Sequence, residues 1–380
     1  MSTRPSDSGS SESWPPQLHD EFKDAQDPAG LIGVRERFSL AESVRVLSYY
    51  ELGTIARVRE FRRGSRRSPK LRIDCEKGNF LLKRRAPGRD DRGRIRFVHA
   101  LLTALAEQGF PLARLVPARQ GETMVELDDR CYELFEFIES SGFPATAEAA
   151  LEAGRCLARL HGLSGRINVE PSGPFGSFHS AAAVDQALAQ IPAAIEAVED
   201  GADRADLDRT CKLLRRGYRE AARRAEQVGL SSMSAVINHG DWHPGNLLYR
   251  GSEVIAVIDF DSARSEPRIF DLANGLLQFT MLMGEPTDPT GWPEGFDGSR
   301  IEAFLRGYDG VADAAGRPLG RAELASLPWL MIEALLVESA IPIAATGTFA
   351  NIRGSLFLQM VERKIDWIWR RSTRLRRLLG

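Results

Sequence analysis

The chain has 380 residues, a formal net charge of -2, and 43% hydrophobic, 27% charged and 8% aromatic residues, enough apolar material for one large or two modest cores and unlike a disordered, collagenous or coiled-coil chain. It contains no run of 18 or more apolar residues, which argues against a membrane-spanning helix, and its N-terminus, MSTRPSDSGSSESWPP, lacks the apolar stretch of a secretory signal. Four cysteines, Cys75, Cys131, Cys156 and Cys211, form no CxxC pair and no dense framework, so a reducing, cytoplasmic setting is expected rather than a disulfide scaffold.

Residues 1–38 are rich in Ser, Pro, Asp and Glu with weak periodicity and read as a flexible N-terminal tail. From Ser48 the pattern turns strand-like: loose alternation through Tyr49 to Phe61, a turn-rich stretch from Arg62 to Pro69, then period-two spacing at Leu71, Ile73 and Cys75. Glu76, Lys77 and Gly78 form a tight turn into Phe80-Leu81-Leu82-Lys83, completing a three-stranded antiparallel meander. Ile95, Val98, Leu101, Leu102 and Leu105 recur at helical spacing between Arg94 and Gln108, with Gly109 as the stop. Two short strands, Thr123 to Leu127 and Cys131 to Ile138, complete this part.

After Gly142 and Pro144 the pattern becomes helical: Leu151, Gly154, Leu157, Ala158 and His161 share a face, and a second helix spans about Leu207 to Gln227. A strand, a loop and a hairpin occupy Ala235 to Ile258, and helices follow to the end. The fold class is therefore α+β, with two lobes and a cleft between them, the kind of place where ligands bind. The boundaries are 39–138 for the first lobe and 139–380 for the second.

Charge is uneven. Arg57 to Arg96 carries 16 Lys/Arg against 5 Asp/Glu. A solvated basic face is one reading. The other is a surface that meets a polyanion. No nucleic-acid motif accompanies it, so phosphate is retained and nucleic acid set aside.

The chemistry-bearing segment is Asn238-His239-Gly240-Asp241-Trp242-His243-Pro244-Gly245-Asn246-Leu247-Leu248, followed by Val257-Ile258-Asp259-Phe260-Asp261. The spacing D-x-x-x-x-N from Asp241 to Asn246 matches a kinase catalytic loop, in which an Asp takes the substrate hydroxyl proton and an Asn reaches a metal. Asp259 ends an apolar strand, where a carboxylate can hold a cation that offsets phosphate charge. The proton acceptor should not also be the metal ligand, so two Asp residues from different elements are needed.

HGDWHPGNLL, VIDFDSA and the downstream Pro267, Asp271, Leu272 and Ala273 resemble the aminoglycoside phosphotransferase family, which includes choline and homoserine kinases and has a protein-kinase-like two-lobe fold, with a small antiparallel β N-lobe and a larger, mainly helical C-lobe. The resemblance runs from about Tyr49 to the C-terminus. It implies Asp241 as catalytic base, Asn246 and Asp259 as Mg²⁺ ligands, and His239, His243 and Asp271 as supports of the loop; packing and hydrogen bonding, rather than direct chemistry, are read for both histidines. Lys83 matches the lysine that holds the α- and β-phosphates of ATP, a solvent-facing strand lysine being the alternative. The turn Arg63 to Ser68 lies where a phosphate-covering loop belongs, with Ser65 as a contact, although it is not G-x-G-x-x-G. The stretch Tyr132 to Ile138 resembles the inter-lobe hinge, with the backbone of Glu136 and Ile138 facing adenine.

The pattern departs from the family in one place. The helix from Arg94 to Gln108 should offer a Glu to Lys83, yet its central turns hold Phe97, Val98 and His99. The role of Asp261 and the partner of Lys83 stay open. Glu333, Glu338 and Asp366 are the carboxylates available to a cationic acceptor, solvated helix faces being the plainer reading. The C-terminal Arg370 to Leu379 is read as a terminal helix packing on the lobe rather than a membrane contact. Gly240 in place of an Arg after His239, and the short span from Asp259 to Asp271, argue against a protein kinase.

The activity implied is ATP- and Mg-dependent transfer of the γ-phosphate to a hydroxyl of an aminoglycoside-, choline- or homoserine-like small molecule, with no nucleic-acid or membrane partner. The alternatives are a non-catalytic nucleotide-binding scaffold on the same fold, and a dinuclear metallohydrolase built on His239, Asp241, His243, Asp259 and Asp261.

Overall fold

Leu71 and Ile73 are buried while their strand neighbours are only half-covered, and this alternation sets the inner face of the first sheet. The computed structural model describes residues 35–377. The expected tail therefore lies outside the described residues except for its last four positions, as do the side chains of Arg374, Arg376 and Arg377 and all of Leu378 and Leu379.

Five antiparallel strands are ordered β1-β2-β3-β5-β4. They are β1 (Ile55–Phe61), β2 (Lys70–Cys75), β3 (Gly78–Arg84), β4 (Val125–Leu127) and β5 (Arg130–Glu136). Cys75 pairs with Gly78 across the Glu76-Lys77 turn, and the register continues to Lys70 opposite Lys83. On its other edge β3 sets Lys83 opposite Glu133. Tyr49 to Thr54, expected to continue a strand, does not. Instead a helix, α1 (Leu40–Leu47), precedes it, held by a Ser39/Glu42 capping box. Its Val46 and Leu47 join Ile73, Leu82, Tyr132 and Leu134 in the smaller apolar core.

Helix α2 (Arg92–Glu107) starts where Asp91 caps the Arg94 N–H, and the chain leaves it through Gly109 at φ 70°. Its buried Phe97, Val98, Leu101 and Leu105 pack into the larger core, that of the helical lobe. That lobe contains α3 (Ala147–Ser164), α4 (Ala182–Glu196) and α5 (Arg204–Gln227). Two short antiparallel pairs follow: β6 (Ala235–Asn238) with β9 (Arg264–Pro267), and β7 (Leu247–Arg250) with β8 (Glu253–Val257). Then come α6 (Ile269–Thr280), α7 (Gly298–Ala314), α8 (Arg321–Thr346), the small β10 (Thr348–Phe349) and β11 (Ile352–Arg353), and α9 (Gly354–Arg377). Helices α3 and α7 approach so closely that a Cβ at Gly154 would strike the Phe304 carbonyl and one at Gly307 the Leu151 carbonyl.

By length and apolarity α8 could cross a membrane, which the sequence run-length did not indicate. Here 72% of its apolar window is buried, against α4, α5, α6 and α9. Within it the wholly buried Glu333 meets His179 Nδ1 at 2.9 Å and accepts the Ser180 N–H at 2.8 Å.

Candidate active site

β6 ends at Asn238, and the next eight residues form a loop pinned from three sides. Asp271, in the first turn of α6, accepts the His239 N–H at 2.7 Å and the Gly240 N–H at 2.9 Å. His239 is fully buried, with Nε2 3.1 Å from the Ile258 carbonyl and its ring packed on Trp242 and Phe260. Burial pushes its pKa down, leaving a neutral ring. Burial alone would raise the Asp271 pKa, but the hydrogen bonds from His161 and Gly240 hold it below the usual carboxylate range. Gly240 is left-handed at φ 76°, and a Cβ there would strike the Ser262 carbonyl.

At the far end of the loop, Gly245 N–H donates to His243 Nδ1 at 3.0 Å, which leaves the ring proton on Nε2, 3.5 Å from Asp241 Oδ2. Asn246 Nδ2 donates to the Asp241 carbonyl at 2.9 Å and to its Oδ2 at 3.0 Å. Asn246 Oδ1 is buried with no hydrogen-bond partner among the described residues. A buried amide oxygen in that state is costly unless it meets a donor or a cation.

Asp259 follows β8 in the left-handed region, φ 65° and ψ 60°, a conformation uncommon outside glycine and recurrent at functional sites. Lys83 Nζ lies 3.6 Å from Asp259 Oδ1 and 2.6 Å from Asp261 Oδ2. Asp261, whose role the sequence left open, thus supplies the ion partner that α2 does not. The same oxygen lies 2.7 Å from Arg85 NH1, and the Asp261 carbonyl accepts from Arg94 at 2.9 Å. Arg85 NH2 also donates to the fully buried Glu133 at 2.7 Å, and His99 Nε2 meets Glu133 at 2.6 Å. Burial would raise the Glu133 pKa, but the Arg85 charge and the His99 hydrogen bond hold it far below the usual range.

Two cavities meet around these groups and a third lies beyond Gly240. One of 380 Å³ lies between the sheet and the helical lobe, with Leu81, Val98, Phe135, Leu248 and Ile258 as apolar walls and Glu136 to Ser140 along one side. Gly64, Lys83, Asp259 and Asp261 also border it. A second, of 40 Å³, is lined by Ser65, Ser68, Lys70, Lys83, Arg85, Arg89, Asp241, Asp259 and Asp261. A third, of 330 Å³, opens beyond Gly240 and carries Arg264, Glu266, Asn274 and Glu338 with Phe178 and Phe270. Burial raises Glu338 well above the usual carboxylate range, the Asp241 charge adding to it. Burial raises Glu266 to about 7. Arg264 Nε stands 3.1 Å from Glu266 Oε2 as an ion pair without hydrogen-bond alignment, and both Glu266 oxygens and Asn274 Oδ1 have no hydrogen-bond partner among the described residues.

The structure thus brings Asp241, Asp259, Lys83 and Ser65 around adjoining cavities, with the buried Asn246 holding Asp241 and with His239, His243 and Asp271 in the loop and its anchor. Glu136 and Ile138 border the apolar cavity, and the Glu136 N–H is already given to the Arg114 carbonyl at 2.9 Å. Of the three acidic residues considered for an acceptor, only Glu338 reaches the third cavity. Glu333 is consumed by His179 and Ser180, and Asp366 is exposed beside Arg370. Sequence reasoning missed Arg85, Glu133, Arg264 and Glu266. An Arg two residues after the strand lysine was the one local signal among them.

The metallohydrolase alternative loses its ligands. His239 Nε2 is taken by the Ile258 carbonyl and His243 Nδ1 by the Gly245 N–H, and among the described residues no three His, Cys, Asp or Glu are arranged to hold a metal.

Residues 57–319 match the family model described as the phosphotransferase enzyme family, APH. The homoserine kinase of Bradyrhizobium diazoefficiens is 27% identical over 289 residues, 75% of this chain and 78% of that protein. The homoserine kinase of Caulobacter vibrioides is 27% identical over 301 residues, 75% of this chain and 80% of its own length. Among solved structures, a microcompartment-associated aminopropanol kinase aligns with a TM-score of 0.64 at 17% identity, over 90% of this chain and 99% of that one. An amicoumacin kinase in complex with AMP-PNP and Ca²⁺ aligns at 0.62 and 14% identity, covering 88% and 94%. These two likenesses are of fold.

Proposed function

The chain belongs to the phosphotransferase enzyme family, and we propose that it moves the γ-phosphate of ATP to the hydroxyl of a small ammonium-bearing alcohol, with Asp241 as the base. That it is a small-molecule phosphotransferase follows from the family and its homoserine kinase relatives; the AMP-PNP and Ca²⁺ held by an amicoumacin kinase of the same fold support ATP and a divalent cation in this reading. The observation that carries the finer reading is the position of Asp241: held by Asn246, it borders a cavity with four cationic side chains on one side and lies next to Gly240 and Glu338 of the acidic cavity on the other.

In this reading the apolar 380 Å³ cavity takes adenine, and Ile138 with the Glu136 carbonyl faces its edge, since the Glu136 N–H is spent. Lys83 holds the phosphates and Ser65 contacts them from the covering turn. Asn246 Oδ1, the orphaned buried acceptor, and Asp259 are hard oxygen donors suited to magnesium, which keeps few protein ligands and shares the phosphates. Magnesium bound there supplies charge neutralisation. Asp241 orients the acceptor hydroxyl and takes its proton as the oxygen bonds to the γ-phosphorus and ADP leaves with the electron pair of the broken bond. His239 and His243 hold the loop and transfer no proton, and Asp271 anchors it.

Glu266, Glu338 and Asn274 present oxygens to an ammonium, and Arg264 suits a carboxylate. A homoserine-like acceptor brings both groups, and the two homoserine kinases among the relatives support trying it first. The lobes divide at 138, after β5, into 39–138 and 139–380, and four free thiols favour a cytoplasmic setting. ADP release with Mg-ATP, screened over homoserine, amino alcohols, choline, sugars and aminoglycosides, tests the reading. Release that depends on an ammonium-bearing alcohol supports it. Mg-ATP binding without acceptor-dependent release from any of them favours the scaffold instead.

A further inference from the structure

Arg85 lies directly after β3 and is almost wholly buried. One edge of its guanidinium faces Glu133, with NH2 at 2.7 Å from Oε1 and Nε at 2.5 Å from Oε2, while NH1 lies 2.7 Å from Asp261 Oδ2. Glu133 Oε1 also meets His99 Nε2 at 2.6 Å, and His99 Nδ1 meets Thr123 Oγ1 at 2.7 Å. This chain of contacts ends on an oxygen that Lys83 Nζ also holds, at 2.6 Å.

One carboxylate oxygen between two cations poses a question of charge. The phosphate cavity is small and already contains Asp241, Asp259 and Asp261. When Lys83 turns to a triphosphate it must loosen its hold on Asp261, and a carboxylate left unpaired beside phosphates is costly in a partly buried site. Resting on the phosphotransferase reading above, we propose that Arg85 is a positioning residue that keeps Asp261 when Lys83 is handed to the nucleotide, and that Glu133 and His99 hold Arg85 in place for this. A guanidinium suits the task because its planar fork can serve two carboxylates at once, whereas an ammonium is a single point charge. The carboxylate that orders the cationic side of the site therefore comes from β5, and His99 occupies the α2 turn where the sequence offers no Glu.

The test uses four full-length proteins, the parent, Arg85→Met, Asp261→Asn and the double variant, each titrated calorimetrically with Mg-ATP in the absence of acceptor. Arg85→Met is expected to bind Mg-ATP about tenfold more weakly, because Asp261 then competes for Lys83. Asp261→Asn should bind at least as tightly as the parent, and the double variant should return to within about threefold of it. A general structural role for Arg85 would not be relieved by changing Asp261. The proposal is overturned if the double variant stays as weak as Arg85→Met, or if Asp261→Asn alone loses binding, which would make Asp261 a direct ligand. Should Arg85→Met fail to fold, Arg85→Lys, with and without Asp261→Asn, gives the same comparison. A parent that does not bind Mg-ATP overturns this proposal and the phosphotransferase reading together. A parent that binds and turns over while the double variant is not rescued overturns this proposal alone.

Discussion

Asn246 donates from one nitrogen to both the backbone carbonyl and the carboxylate of Asp241, at 2.9 and 3.0 Å. A side chain five residues away thus holds one oxygen of the Asp241 carboxylate, while its own Oδ1 is buried without a hydrogen-bond partner among the described residues. Asp241→Ala should lower kcat by about 10²–10⁴-fold, the range for losing a general base, while Mg-ATP affinity changes little. Steady-state kinetics paired with calorimetry reads both quantities. Asp259→Ala should do the reverse, weakening Mg-ATP and abolishing the magnesium dependence of nucleotide binding.

Asp271 predicts a stability effect. It is buried and accepts two amide protons of the loop. Asp271→Ala strands both N–H groups in the interior, at about 1–3 kcal/mol for each. Thermal unfolding should show a clear loss of Tm, and Asp271→Asn, which keeps one acceptor, a smaller one.

Gly240→Ala should be more damaging than its size implies. The residue is left-handed at φ 76°, and the added methyl would meet the Ser262 carbonyl. Asp241, the next residue, would shift with the loop, so kcat should fall even where the variant remains folded at assay temperature.

Glu266 gives the acceptor cavity a pH dependence. Burial raises its pKa to about 7; Arg264 and Asn238 partly counter this, Asp271 adds to it, and Glu338 lines the same cavity. The group is neutral below that value and anionic above it, so the KM for an ammonium-bearing acceptor should fall between pH 6 and 8, a window of about one unit either side of the shifted pKa. Glu266→Gln should flatten the profile. Stability runs the other way. A raised folded pKa stabilises below the ordinary value of 4.5 and loses that contribution as pH rises through about 7, on the order of a few kcal/mol. Glu266→Gln should remove that decline in Tm.

What could be read from the chain was local. The Asp241 to Asn246 spacing, the Glu76-Lys77 turn and the helical period from Ile95 to Leu105 are each set within a few residues, and each reappears in the fold. The helix at Leu40–Leu47 was missed because its Ser/Glu capping box continues the polar composition of the stretch before it. The helix at Ala182–Glu196 was missed because it is Ala-rich, with Pro192 inside. The charge network was out of reach for a different reason. Lys83 and Asp261 are 178 residues apart, and Arg85 and Glu133 are 48 apart. Periodicity shows which face is buried, not which charges meet across the fold. The carboxylate expected for Lys83 was sought on α2, whereas its partner is Asp261, beyond β8.

The most direct test is ³¹P NMR of the full-length protein with Mg-ATP and homoserine or another ammonium-bearing alcohol, run beside Asp241→Ala. Phosphotransfer predicts a phosphomonoester resonance growing in step with ADP for the parent, and neither for the variant at matched Mg-ATP occupancy. ADP with inorganic phosphate and no ester, or an ester formed equally fast by Asp241→Ala, would contradict it.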